Sequence, residues 1–287
     1  MHKLKLYYQL IKPGVTYGNA ISAVAGFLLA SGWWPDWSRF IGLTVGETLV
    51  IAAACVLNNH LDRDIDRKMS RTRTRPTAAG QVSSREAVTE SILLGVSGTV
   101  VLALTTNWLA TSVTIAGFLI YVWPYGAWTK RRSVHGTLVG AISGALPILA
   151  GYLAARGYFD IGALLVFLVI FFWQMPEFYS ISIYRKNEYK KAGVPVISVV
   201  RGTKRTKLEI FLYTLAFVVS TLSLTLAGYT GWIYFVIMLA LGGYWLLLGA
   251  RGLKPSSGDD WARTMFRFSL VILLAFSFLI SIDGLLV

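Results

Sequence analysis

The sequence predicts an all-α, polytopic membrane protein: a bundle of nine transmembrane helices around a central cavity. Three observations predict it. The 287 residues are 55% hydrophobic and only 14% charged, whereas a soluble domain carries about 25% charged residues. The apolar residues fall into runs long enough to cross a bilayer, which takes about 20 residues of helix. The positive charge is gathered almost wholly into alternate loops between those runs.

Nine runs are read, over 14–31, 38–57, 87–106, 109–127, 136–155, 160–178, 208–227, 230–250 and 267–285. Their middles are free of charge, with Glu47 and Glu90 as partial exceptions. The first run is not followed by a small-residue cleavage site, so it is expected to span rather than to be a removed signal. Pro13 marks its start, and Pro147 a kink in the fifth run. Gly136, Gly140 and Gly144 give that fifth run a GxxxGxxxG series, expected to let helices pack closely. The lone cysteine, Cys55, lies in the second run and excludes an intramolecular disulfide.

Of the 27 Lys and Arg residues, all but Arg39 and Arg156 fall in the N-terminal arm and the loops after the even-numbered runs. One invented or missed helix would scramble that split. The positive-inside rule then places the N-terminus and the large loops in the cytoplasm, and the C-terminus outside. A bacterial inner membrane is the expected location. The formal net charge of +13 is accounted for by topology, which removes the reason to expect nucleic-acid binding. The two long, charged loops follow runs 2 and 6, four helices apart. That spacing suggests a single domain, 1–287, holding a duplicated four-helix unit over about 14–127 and 136–250 plus a ninth helix. It also suggests that the two loops face each other over one site.

The densest local signal is NNHLDRDIDRKMSRTRTRP, Asn58 to Pro76. Helix positions four apart lie about 40° apart around the axis, so Asn58, Asp62 and Asp66 form one line, with Asn59 beside it. Asp64 points the other way, toward Lys68 four residues on. Two carboxylates and an amide make a surface for a hard cation, and Mg2+ characteristically binds through one or two carboxylates plus substrate phosphates. Arg71, Arg73 and Arg75 follow, and guanidinium groups match phosphate oxygens. The segment therefore reads as a diphosphate–metal grip, with Asn58, Asn59, Asp62 and Asp66 as metal ligands. No Gly-rich phosphate loop is present. An ordinary basic loop neutralised by acids is the alternative; the four-residue spacing at a membrane helix end argues against it.

The line of Asn58, Asp62 and Asp66 resembles the first Asp-rich motif of the UbiA-type intramembrane prenyltransferases. The string CVLNNHLDRDIDRKMSRTRTRP is similar to that of one branch, the protohaem IX farnesyltransferases or haem O synthases. IKPGVTYGNAISAVAGFLLAS at 11–31, KRRSVHGTLVGAISGALPILAGY at 130–152, WQMPEFYSISIYRKNEYKKAGVPVISVV at 173–200 and WAR at 261–263 agree with it. The resemblance implies a nine-helix bundle around a cavity. It implies transfer of farnesyl from farnesyl diphosphate to a vinyl group of haem B, with addition of water, giving haem O and diphosphate. Mg2+ is the implied cofactor, Asn58, Asp62 and Asp66 the catalytic set. The implied partners are the two substrates and the lipid bilayer, with transient contact to haem-handling or terminal-oxidase assembly proteins.

Substrate contacts are expected from Arg71, Arg73, Arg75, Lys130, Arg131, Tyr125, Arg185, Lys186 and Glu177. The superfamily's second Asp-rich motif is missing from the loop after run 6, as it is in the haem branch, and a basic loop stands there. In that branch His normally follows WQxP; this chain has Glu177. Trp123, Tyr125, Trp128, Trp173, Phe178 and Tyr179 lie near the same helix ends and are candidates to face an allylic cation, or form an interfacial belt. Two other readings stay open on residues alone: a prenyltransferase with another acceptor, such as a quinone precursor, and a non-catalytic haem-handling protein or transporter.

Overall fold

The computed structural model describes residues 2–32, 34–254 and 256–283; the last four residues of the expected outer C-terminus lie outside them. Among the described residues nine helices are long and apolar enough to cross a membrane. In chain order, short helices included, the elements are α1 (His2–Leu10), α2 (Pro13–Ser31), α3 (Trp37–Leu61), α4 (Arg63–Arg67), α5 (Ser84–Thr105) and α6 (Trp108–Arg132). They continue with α7 (Gly136–Arg156), α8 (Ile161–Tyr184), α9 (Lys186–Ala192), α10 (Ile197–Val200), α11 (Gly202–Leu226), α12 (Trp232–Gly252) and α13 (Asp259–Ile282).

Five of the starts have a local cause. Pro13 occupies the first turn of α2, where its missing N–H costs nothing. Asp36 caps α3 by accepting from the N–H groups of Ser38 and Arg39 at 3.0 and 3.1 Å. Ser83 and Glu86 form a reciprocal capping box on α5. Asn107 and Asp160 cap α6 and α8 through Ala110 and Ala163.

The spans form a closed ring. Neighbours pack in the order α2, α3, α5, α6, α7, α8, α11, α12 and α13, and α13 returns against α2. α2 and α7 also cross through the middle. Glycine permits that crossing: a Cβ on Gly151 would lie 1.8 Å from the Ala23 carbonyl oxygen, and one on Gly26 2.2 Å from that of Ile148. Gly46 and Gly98 play the same part between α3 and α5. The expected GxxxGxxxG contact is different in kind: Gly140 makes room for the Tyr125 ring and Gly144 for the Gln174 amide.

The helices outrun their apolar runs, and almost always at one end. α3 continues to Leu61, α6 to Arg132 and α8 to Tyr184, while α11 begins at Gly202 and α13 at Asp259. These extra turns carry polar residues, charged ones on α6, α11 and α13, and project beyond the apolar slab on the same side as the two long loops. There the loops meet, in a small apolar cluster of Ile65 and Met69 from one with Ala192 and Val194 from the other.

Candidate functional site

A cavity of about 510 Å³ opens beneath those two loops and runs down between α2, α3, α6, α7, α8 and α13. On α3 its wall is Glu47, Val50, Ile51, Ala54, Cys55 and Asn58, a single helical face that leads up to Asp62. The helix stops at Leu61 but its register does not: the Asp62 N–H donates to Asn58 O and the Asp66 N–H to Asp62 O, at 2.9 and 2.8 Å. Asp66, on short α4, therefore stays on the same line, and all three residues face the cavity.

The acids are paired with cations from elsewhere in the chain. Lys130, at the end of α6, donates to Asp62. Arg75 holds both oxygens of Asp66 at 2.9 and 3.1 Å. Both carboxylates are almost wholly buried. Lys12, in a left-handed turn at φ 50° just before α2, reaches Asn58 Oδ1 at 2.5 Å. Burial, with Arg75 nearby, pushes the Lys12 ammonium down to about 8. Arg71 also lines the cavity. Four cations thus surround two acids, an excess of positive charge suited to a polyanion.

The residues present fit a divalent cation. Asp62 Oδ1 is buried with no hydrogen-bond partner, and a buried carboxylate oxygen without one is costly. Among the described residues no three His, Cys, Asp or Glu side chains converge. A cation there would take Asp62 and Asp66 with the amide of Asn58 and complete its shell from substrate oxygens, as Mg2+ characteristically does.

Tyr121 and Tyr125 come from a widened π-helical stretch of α6, Tyr121–Thr129, which contains Pro124. Such stretches concentrate at functional sites. Here it sets the two rings 5.5 Å apart on the cavity side, with Lys130 5.7 Å from the Tyr125 centroid. Trp123 and Trp128 point outward and are exposed, so of the expected aromatics they belong to the interfacial belt. Trp173 and Phe178 line the cavity; Tyr179 lies on a separate pocket.

α8 supplies the facing wall. Trp173 donates to Ser269 O at 2.8 Å and Gln174 to Ala141 O and Ile170 O, both at 3.1 Å. These bonds fix the face on which Glu177 looks into the cavity, buried. α2 contributes Gly14, Val15, Gly18, Asn19 and Ser22. Nothing lies within 4 Å of a Cβ placed on Gly14 or Gly18, so their missing side chains widen the chamber.

Five expected contacts lie elsewhere. Asn59 turns away from the cavity and donates to Leu10 O at 2.6 Å, tying α1 to α3. Arg73 is exposed outside the lining; Arg71 and Arg75, four apart, share the cavity side of that turn and Arg73 falls between them. Arg131 pairs with Asp64 at 2.7 Å, the place expected for Lys68, and holds that carboxyl well below the usual carboxylate range. Arg185 closes on Glu188 at 2.9 Å, and Lys186 beside it is also off the cavity. From that loop it is Tyr189 and Val194–Val196 that reach the site. Lys12, Tyr121 and Gln174 were not expected.

A profile described as the UbiA prenyltransferase family matches residues 19–271. The chain belongs to the UbiA prenyltransferase family. Among its relatives, the protoheme IX farnesyltransferase of Yersinia enterocolitica is 43% identical over 98% of this chain and 95% of that one. That of Chromohalobacter salexigens is 44% identical over the same shares. The UbiA fold is shared with a solved digeranylgeranylglyceryl phosphate synthase at a TM-score of 0.84, 20% identity and full coverage of both chains. A UbiA homologue from Archaeoglobus fulgidus bound to GPP and Mg2+ superposes at a TM-score of 0.72, 16% identical over 96% of this chain and 99% of that one.

Proposed function

We propose that this UbiA-family protein transfers a farnesyl group from farnesyl diphosphate to a vinyl carbon of haem B, giving haem O and diphosphate. The observation that carries the chemistry is one cavity with two unlike ends. Its mouth holds Asp62 and Asp66 among Lys12, Arg71, Arg75 and Lys130. Its body is walled by Val50, Ile51, Phe118, Leu146 and Ile170 at membrane depth. The relatives at 43% and 44% identity, both protoheme IX farnesyltransferases, support haem B as the acceptor.

The residues divide the work. Lys12, Arg71, Arg75 and Lys130 receive the diphosphate oxygens and stabilise negative charge as the allylic C–O bond breaks. Asp62, Asp66 and Asn58 would hold Mg2+, which when bound supplies further neutralisation of the leaving group. The ion pairs of Asp62 and Asp66 hold Lys130 and Arg75 at the mouth. The apolar wall keeps bulk water from the allylic carbon until the vinyl carbon bonds to it. Tyr121, Tyr125 and Trp173 present rings to the same space, where their faces stabilise developing positive charge. Water then adds to the other vinyl carbon and releases a proton. Glu177, on the wall opposite the Asp line, is the residue we assign to the haem side.

Purified protein given haem B, farnesyl diphosphate and Mg2+ is expected to yield a farnesylated, hydrated haem by mass spectrometry. Asp62→Ala and Asp66→Ala are each expected to lower turnover by at least about 100-fold while the protein still inserts and folds. Full activity in either variant would overturn the diphosphate–metal assignment.

A further inference from the structure

The cavity ends at a polar pair that the proposed chemistry does not use. Glu47 is the deepest cavity-lining residue of α3, and Thr114 the deepest of α6. The Thr114 hydroxyl donates to the Glu47 carboxyl, and their exposures are 3% and 2%. Around them the wall is made by Leu146, Pro147, Ile170 and Leu273. An acid at membrane depth that faces a cavity marks function more often than packing.

The distance between the two ends is informative. From Asn58 down to Glu47 is eleven residues of α3, about 16 Å of helical rise. An isoprene unit adds four carbon–carbon bonds, about 5 Å when extended. A diphosphate held at Asp62 and Asp66 leaves its first prenyl carbon near the level of Asn58. Three units then end at Glu47 and Thr114, and a fourth would have to pass them. Passing means burying hydrocarbon against a carboxyl and breaking its one hydrogen bond, with no water to replace it.

We propose that Glu47 and Thr114 form a polar floor that sets the length of prenyl donor, admitting a C15 chain and rejecting a C20 chain. The inference rests on the prenyl-diphosphate reading of the site but not on the acceptor. It is therefore tested on the full-length protein without haem, by calorimetry with Mg2+ and non-cleavable thiolo-analogues of geranyl, farnesyl and geranylgeranyl diphosphate. The wild type is expected to bind the C15 analogue about tenfold or more tighter than the C20 one, the scale of discrimination a shaped apolar pocket gives. Glu47→Ala is expected to bring the two within about threefold while leaving C15 affinity within about threefold. Glu47→Gln keeps the volume and the hydrogen bond and is expected to keep the preference. Thr114→Phe raises the floor from the other helix and is expected to favour C10 over C15, which tests the idea even if Glu47→Ala does not fold. No length preference in the wild type, or one unchanged in Glu47→Ala and Thr114→Phe, would overturn the floor alone. No binding of any donor would instead overturn the prenyl-diphosphate reading itself.

Discussion

Arg71 and Arg73 separate charge that acts from charge that only sets topology. Arg71 lines the cavity with no hydrogen-bond partner among the described residues, whereas Arg73 lies outside it. Arg71→Ala is expected to raise the KM for farnesyl diphosphate about tenfold with kcat changed less, since an arginine that meets diphosphate from the outset contributes binding in ground and transition state alike. Arg73→Ala is expected to leave both within about twofold; steady-state kinetics on the two variants checks it. Asp64 and Arg131 form the outward pair. Arg131 lowers the Asp64 pKa on folding, so the stabilisation is complete above the unfolded carboxyl's pKa, about 3.9, and is lost as pH falls below that. Thermal melts from pH 5 to 8 are accordingly expected to show no pH-dependence from this pair, and Asp64→Asn to lower the melting temperature little at pH 7. The line of Asn58, Asp62 and Asp66 was legible because helical register is local and carries across the break at Leu61. Lys12 was not: it meets Asn58 46 residues away, and nothing local distinguishes it from the other N-terminal lysines. The same limit explains Arg131, Arg185 and Lys186, whose charge the sequence places at the same end of the bundle as the site without saying which way they point.

At the scale of helices, apolar run length located every span but underestimated their polar and charged ends. Hydropathy stops where charge begins, while backbone hydrogen bonding does not, so the reading of 267–285 missed the first two turns of α13 (Asp259–Ile282). The π-helical stretch of α6 was equally hidden, since Pro124 alone indicates a kink rather than a particular widening. Glycine gives the sharpest test here. Gly151→Ala would drive a Cβ into the Ala23 carbonyl at 1.8 Å, backbone against backbone with no side chain to move aside. It is expected to destabilise by about 3 kcal/mol, at the upper end of overpacking costs. Gly18→Ala, with open space at the same atom, is expected to leave stability unchanged or slightly higher. Melting temperatures in one detergent compare the two directly. The packing also bears on the duplicated unit. α3 with α5 and α8 with α11 are each among the most extensively packed pairs, and α2 crosses α7, as two four-helix units related by a central axis would require. We propose those units, 14–127 and 136–250, on that ground.

For the molecule as a whole, the one-sided charge and the site are the same end. The loops that carry nearly all the Lys and Arg residues are those that close over the cavity mouth, so whatever fixes orientation also fixes where diphosphate is delivered and released. We propose that this end faces the cytoplasm of a bacterial cell, by the positive-inside rule. An anionic leaflet would attract the same surface and hold it at the headgroups, within about a Debye length of the charge. Native Cys55 is buried, which leaves the chain silent to membrane-impermeant thiol reagents and allows single introduced cysteines to report. Gln81 is exposed in the loop between α4 and α5, on the site side, and Tyr158 is exposed between α7 and α8, at the opposite end. Neither touches the cavity. In intact spheroplasts Tyr158→Cys is expected to label with a charged maleimide and Gln81→Cys only after lysis. The reverse pattern would put the diphosphate site on the outer face, away from cytoplasmic supplies of both substrates, and would leave the charge asymmetry without its topological explanation.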